Sequence, residues 1–135
     1  MIFEGTVSFA FTDDKGNEKQ KKESVILDNC DTFTEVEGKL FELYGGQPGI
    51  DVTAIKRSRL KEIANTRNDG EEKVFVAELV DIFTDDKGNE KDNIYKIAFF
   101  AGSIDGAKTF IDDYMKQGYD MRLKSLTETK FADVI

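Results

Sequence analysis

Apolar and polar residues alternate with period two over residues 2–12. Phe3, Gly5, Val7, Phe9 and Phe11 fall on one side, and Glu4, Thr6, Ser8, Ala10 and Thr12 on the other. That alternation predicts a strand with one buried face. Asp13-Asp14-Lys15-Gly16-Asn17 follows. Asp favours the start of a type I turn and Gly supplies the positive φ that closes a hairpin through a bulge. The return strand is expected at Lys19–Leu27. Thr32 with Glu35 three residues on reads as a capping box. Val36, Leu40, Leu43 and Tyr44 then recur at helical spacing, so a helix is expected over Phe33–Tyr44. Gly45-Gly46 ends it and Pro48-Gly49 prevents a restart. Ile50–Leu60 reads as a third strand, with Val52, Ala54 and Ile55 apolar, and NTRNDGEE (65–72) as a polar loop.

The pattern then starts again. Val74–Phe83 is apolar on both faces, which predicts a more buried strand than its counterpart. The nine residues FTDDKGNEK of Phe11–Lys19 recur unchanged at Phe83–Lys91. Ile94–Phe100 reads as the return strand. Ser103 caps a helix carrying Ala107, Phe110, Ile111, Tyr114 and Met115, and Gly118 ends it. Arg122–Val134 contains a last strand, with Leu123 and Leu126 at core positions. The hairpins align at an offset of 72 and the later elements at 71, pairing Leu40 with Ile111, Val52 with Leu123, Leu60 with Phe131 and Ile63 with Val134.

These matches predict an α+β fold of two tandem strand–strand–helix–strand repeats. Residues 1–64 form the first ββαβ repeat, 65–72 a linker loop and 73–135 the second, packed as one compact domain. A right-handed crossover places the third strand beside the first, giving the order 2-1-3 in antiparallel sheets with one helix each. One such unit buries little by itself, so the two are expected to pack with pseudo-twofold symmetry.

Composition narrows the chemistry. The 135 residues carry a formal net charge of −8, 34% charged residues and no histidine. The absence of histidine removes the commonest general base near neutral pH and the Ser-His-Asp and Cys-His arrangements. A single cysteine, Cys30, leaves no Cys pair for a disulfide, zinc or an iron–sulfur cluster. Its neighbours Asp28 and Asp31 disfavour a thiolate, so a passive role is expected. Phosphate-binding GxxxxGK[ST] and GxGxxG loops are absent. DDKGNE shares its opening with a calcium loop, but Lys15 and Lys87 stand where a second oxygen ligand is needed. The expectation is a non-enzymatic protein without cofactor or metal. The lack of a long apolar run and of a signal-like N-terminus points to the cytoplasm rather than a membrane.

Basic residues concentrate in two stretches of this acidic chain: Lys19, Lys21 and Lys22 on the first hairpin, and Lys56, Arg57, Arg59 and Lys61 around the third strand. With Phe9, Phe11, Phe83 and Tyr95 as candidate stacking rings, they form a candidate single-stranded nucleic-acid surface. On the plainer reading they balance the carboxylates on a solvated face.

VTAIKRSRLKEI (52–63) and LTETKFADVI (126–135) carry a resemblance over nearly the whole chain. The sequence resembles the small proteins grouped as domain-of-unknown-function family 4494, from Bacteroides-type gut bacteria and their phages. The resemblance brings no catalytic or binding residues. It implies a phage or mobile-element setting, hence the host-cell cytoplasm. The expected function is a phage-type binding protein acting on single-stranded nucleic acid or its replication machinery. The alternative is a protein-interaction module, either a virion component or an acidic inhibitor of a host nucleic-acid or defence protein. A small-ligand sponge at a subunit interface is a third possibility.

Overall fold

The computed structural model of the chain describes residues 1–118 and 120–135. The elements run β1 (Phe3–Thr12), β2 (Glu18–Leu27), α1 (Phe33–Tyr44), β3 (Asp51–Arg57), β4 (Leu60–Ile63), β5 (Lys73–Thr84), β6 (Glu90–Ala101), α2 (Ile104–Met115), β7 (Met121–Glu128) and β8 (Phe131–Val134). The fold is α+β, with two four-stranded sheets and two helices among the described residues. Two compact units result: residues Met1–Ser58 with Phe131–Ile135, and residues Arg59–Lys130.

In the first unit the sheet order is β3-β1-β2-β8. The alternation of β1 becomes burial: Phe3, Gly5, Val7 and Phe9 are buried, while Glu4, Thr6 and Ser8 are half-buried. Val25 and Leu27 of β2 and Val36, Leu40 and Tyr44 of α1 close this core around Cys30. The forward half of the expected capping box forms at α1, while the return bond falls one residue early, on Asp31 rather than Thr32. Thr32 Oγ1 accepts from Glu35 N at 3.1 Å, and Glu35 Oε2 reaches back to Asp31 N at 3.2 Å, so two backbone donors are satisfied at the helix start. Leu43 departs from the expected pattern. It is exposed, lying to one side of the Val36–Leu40–Tyr44 stripe.

In the second unit the order is β4-β6-β5-β7. Phe75, Ala77, Leu79, Ile97, Phe99, Ala107 and Ile111 form its core. Phe99 stacks on Phe110 at 4.5 Å and on Phe75 at 6.0 Å. Ser103 caps α2 through a bond from Gly106 N. Leu126 packs against the core, whereas Leu123 is exposed.

Both hairpin loops close within themselves. Asp13 Oδ1 accepts from Lys15 N at 3.0 Å and from Asn17 N at 2.8 Å, and Asp85 Oδ1 does the same for Lys87 N and Asn89 N at 2.9 and 2.8 Å. Gly16 and Gly88 take φ of +79° and +80°, a region open to glycine. Pairing across the sheets keeps the same offsets. Phe3–Leu27 corresponds to Phe75–Phe99, with both partners 72 residues on. Phe3–Arg57 corresponds to Phe75–Glu128, 72 and 71 residues on. Each sheet shifts register at the same place, Thr6/Val7 and Glu78/Leu79. The expected 2-1-3 antiparallel order holds in both units.

The fourth strands depart from expectation. Ile50–Leu60 is not one strand. β3 runs out of partners where β1 begins: Arg57 pairs with Phe3, Ser58 N bonds Ile2 O, and the chain leaves the sheet. It re-enters as β4, parallel to β6 in the second unit. The expected last strand is likewise two. β7 ends opposite Phe75, Thr129 N bonds Val74 O, and β8 joins β2 in the first unit in parallel. The sheets are therefore mixed rather than wholly antiparallel. The contact boundaries fall at Ser58/Arg59 and Lys130/Phe131, while residues 65–72 form an irregular loop inside the second unit. The registers of β4 and β8 also correspond: Leu60–Lys96 and Ile63–Ala98 match Phe131–Ser24 and Val134–Ile26.

Candidate functional site

The basic residues do not gather on one surface of either unit. Lys19, Lys21 and Lys22 lie near the turn end of β2, while Lys56 and Arg57 lie opposite Glu4 and Phe3 at the far end of β1. Four residues of strand separate Glu4 from Ser8, the partner of Lys22, which is about 13 Å at ~3.3 Å per residue. Arg59 and Lys61 belong to the second unit. Three of the cations face carboxylates: Lys19 on Asp13 at 3.3 Å, Lys21 on Glu23 at 3.0 Å, and Lys56 on Glu4 at 4.0 Å. Lys61 lies over the Tyr95 ring at 4.1 Å, a cation–π contact that occupies one face of that ring.

The candidate stacking rings are similarly divided. Phe9 is buried against Tyr44, with centroids 5.9 Å apart. Phe11 and Phe83 are exposed at the bases of the two turns, one in each unit. Cys30 is fully buried in the first core, out of reach of solvent.

The lysines of β2 have a structural explanation. β8 covers only Ser24–Ile26, and among the described residues no strand pairs with the outer edge of Glu18–Glu23. Charged side chains on an open edge oppose pairing with a foreign strand. Lys91, Asp92 and Asn93 occupy the corresponding open edge of β6.

Two tyrosine–carboxylate pairs tie helices to strands. Tyr44 Oη donates to Glu23 Oε2 at 2.8 Å, and Tyr114 Oη donates to Glu62 Oε1. Burial, then the adjacent carboxylate, pushes both tyrosines well above the usual phenol range. Burial alone would raise the Glu23 carboxyl, but the Tyr44 hydroxyl and Lys21 outweigh it and hold its pKa below the ordinary value. The sequence offered only helical spacing at Tyr44. The Glu23 partner is 21 residues away and becomes visible through the strand register.

The helices differ on their outer faces. Phe33 and Phe41 of α1 are 51% and 44% exposed, and Leu43 on the other flank is 51% exposed. Glu37 stands between Phe33 and Phe41, four residues from each, and Glu35 and Glu42 are also exposed on this helix. Phe33 keeps one ring edge on Phe3 at 5.4 Å. The corresponding line on α2 is Ile104, Lys108 and Asp112. The helical spacing in the sequence marks Val36, Leu40, Leu43 and Tyr44, and the exposure of Phe33 and Phe41 is set by how α1 lies on the sheet.

No cluster of three or more metal-ligating side chains occurs among the described residues, and no helix there is long and apolar enough to cross a membrane. The whole chain, residues 1–135, matches the family described as Domain of unknown function (DUF4494). The chain belongs to this family. Membership agrees with the resemblance carried by VTAIKRSRLKEI and LTETKFADVI, and the family description assigns no activity from which residue roles could follow. No curated protein and no solved structure matches the chain.

Proposed function

We propose that this protein is a non-enzymatic binding module whose partner is another protein, one presenting a basic and partly apolar surface. The observation that carries this reading is one flank of α1, where Phe33 and Phe41 stand exposed with Glu37 between them, on a helix that also exposes Glu35 and Glu42. Exposed aromatic and aliphatic side chains supply the desolvating contacts of a protein interface. The surrounding glutamates and the net charge of −8 speed encounter with a cationic partner. In a phage or mobile-element setting, the partner is a host nucleic-acid or defence protein met in the host cytoplasm.

We also infer that the two units are tandem copies of one ββαβ unit. The identical turns, the shared register shifts and the matching registers of β4 and β8 support this. Specialisation then lies where the copies differ, and Phe41 against Asp112 is such a place.

The experiment compares capture from host lysate by the native chain and by a Glu37→Lys/Phe41→Ser variant. Both substitutions are on the exposed face and leave the core intact. A specific basic protein captured by the native chain, released by salt and absent with the variant, supports the reading. Equal capture by both, or none by either, sinks it. Fluorescence anisotropy with labelled single-stranded oligonucleotides at low salt runs in parallel. Tight binding there, weakened by Lys22→Glu or Arg57→Glu, would transfer the function to nucleic acid.

A further inference from the structure

Each unit takes its fourth strand from beyond the boundary of its own repeat. The edge that receives β8 is narrow. Val25, Ile26 and Leu27 of β2 are fully buried there, and the rest of the β2 edge carries Lys19, Lys21 and Lys22. The bonds at the top of this slot are main-chain bonds. Ile135 N donates to Ile26 O at 2.8 Å, and Asp28 N donates to Ile135 O at 2.9 Å. Ile135 packs its side chain against the first core. None of these contacts depends on which chain the strand comes from.

The two exchanged strands carry different side chains into their sheets. On β4, Glu62 accepts from Tyr114 and Lys61 lies over Tyr95. The corresponding positions on β8 are Asp133 and Ala132. Alanine cannot make the cation–ring contact, and the Asp133 carboxylate lies near the Tyr44–Glu23 pair. The hinge is short. Thr129 is bonded to Val74 O through both its N–H and its hydroxyl, so Lys130 alone connects that fixed point to β8.

We propose that the β2 slot binds a second copy of this chain, the two copies trading residues Phe131–Ile135 to form a strand-exchanged dimer. The exchanged dimer keeps the bonds that β8 makes to β2, so concentration decides between the two forms. Uncovered Val25–Leu27 requires an apolar strand of this pattern, and another copy of the chain supplies one.

The native chain, unfolded and refolded at micromolar and at millimolar concentration, is followed by light scattering on a sizing column. The expected result is a dimer whose share rises with refolding concentration and which persists on dilution. Ser24 and Phe131 are strand partners. A chain carrying Ser24→Cys is therefore co-refolded with one carrying Phe131→Cys, each also Cys30→Ala, and oxidised. A disulfide-linked pair of the two different chains is expected. Monomer at both concentrations overturns the proposal. So does a native dimer without the linked pair, since that dimer is held elsewhere.

Discussion

Gly5 sits on the buried face of β1 beneath α1. A Cβ built there falls 2.7 Å from Leu40 Cδ1, 3.2 Å from Leu40 Cδ2 and 3.3 Å from Leu27 Cδ1. Carbon atoms prefer about 3.5–4.0 Å, so Gly5→Ala forces roughly an ångström of overlap. Both leucines are fully buried and cannot swing into solvent. Overpacking of this kind costs about 1–3 kcal/mol. Replacing glycine in a strand returns about 0.5–1 kcal/mol of backbone entropy, which leaves a net loss of about 0.5–2 kcal/mol. With a urea slope of ~2 kcal/mol per molar, the mid-range loss lowers the midpoint by about 0.6 M. Urea titration followed by far-UV circular dichroism measures it. The second unit indicates the remedy, since Ala77 and Ile111 occupy the corresponding positions. Adding Leu40→Ile to Gly5→Ala is expected to recover part of the loss. A Gly5→Ala chain more stable than the native one, by the ~0.4–1 kcal/mol of the unfolded-state effect alone, would refute the packing argument.

Three further outcomes follow from the same contacts. Tyr44 and Tyr114 hold their protons more tightly folded than unfolded, so their contribution is complete below the ordinary value of 10.0 and declines as pH rises above it; melting temperatures across the alkaline range should fall less steeply in Tyr44→Phe/Tyr114→Phe than in the native chain. Proteolytic cleavage in the exposed loop near Gly70 leaves β4 and β8 in their sheets, so the two fragments should co-elute in native buffer and separate in denaturant. Lys19→Thr/Lys21→Thr/Lys22→Thr removes the charges guarding the open edge of β2, and light scattering should show faster aggregation at unchanged secondary structure.

Local elements were legible because their causes are local. The Asp13 and Asp85 turns, the Thr32 capping box and the alternation of β1 each act within a few residues. The 2-1-3 order followed from chain connectivity and handedness. The destinations of β4 and β8 were not legible. The third strand reads in the sequence as running on to Leu60, and only the end of β1 at Phe3 shows that no partner remains beyond Arg57. Nor could the sequence separate edge lysines from ligand-binding lysines. Lys19, Lys21 and Lys22 acquire their meaning from the short reach of β8, which ends its pairing at Ser24. Sizes in the two cores are exchanged rather than conserved: Leu27 and Val36 in one become Phe99 and Ala107 in the other. A larger strand residue accompanies a smaller helix residue in the same core, a trade that appears only when both elements are placed.

The division of the chain also sets an order in time. Residues Arg59–Lys130 hold every strand of the second unit, so that unit can close as soon as it has been synthesised. The first unit, though made first, waits for Phe131–Ile135. At ~5–20 residues per second, the 77 residues from Ser58 to Ile135 take about 4–15 s to make. Throughout that interval the apolar edge at Val25–Leu27 on β2 is uncovered. The unit that is made first therefore closes after the one that follows it, on the arrival of Phe131–Ile135.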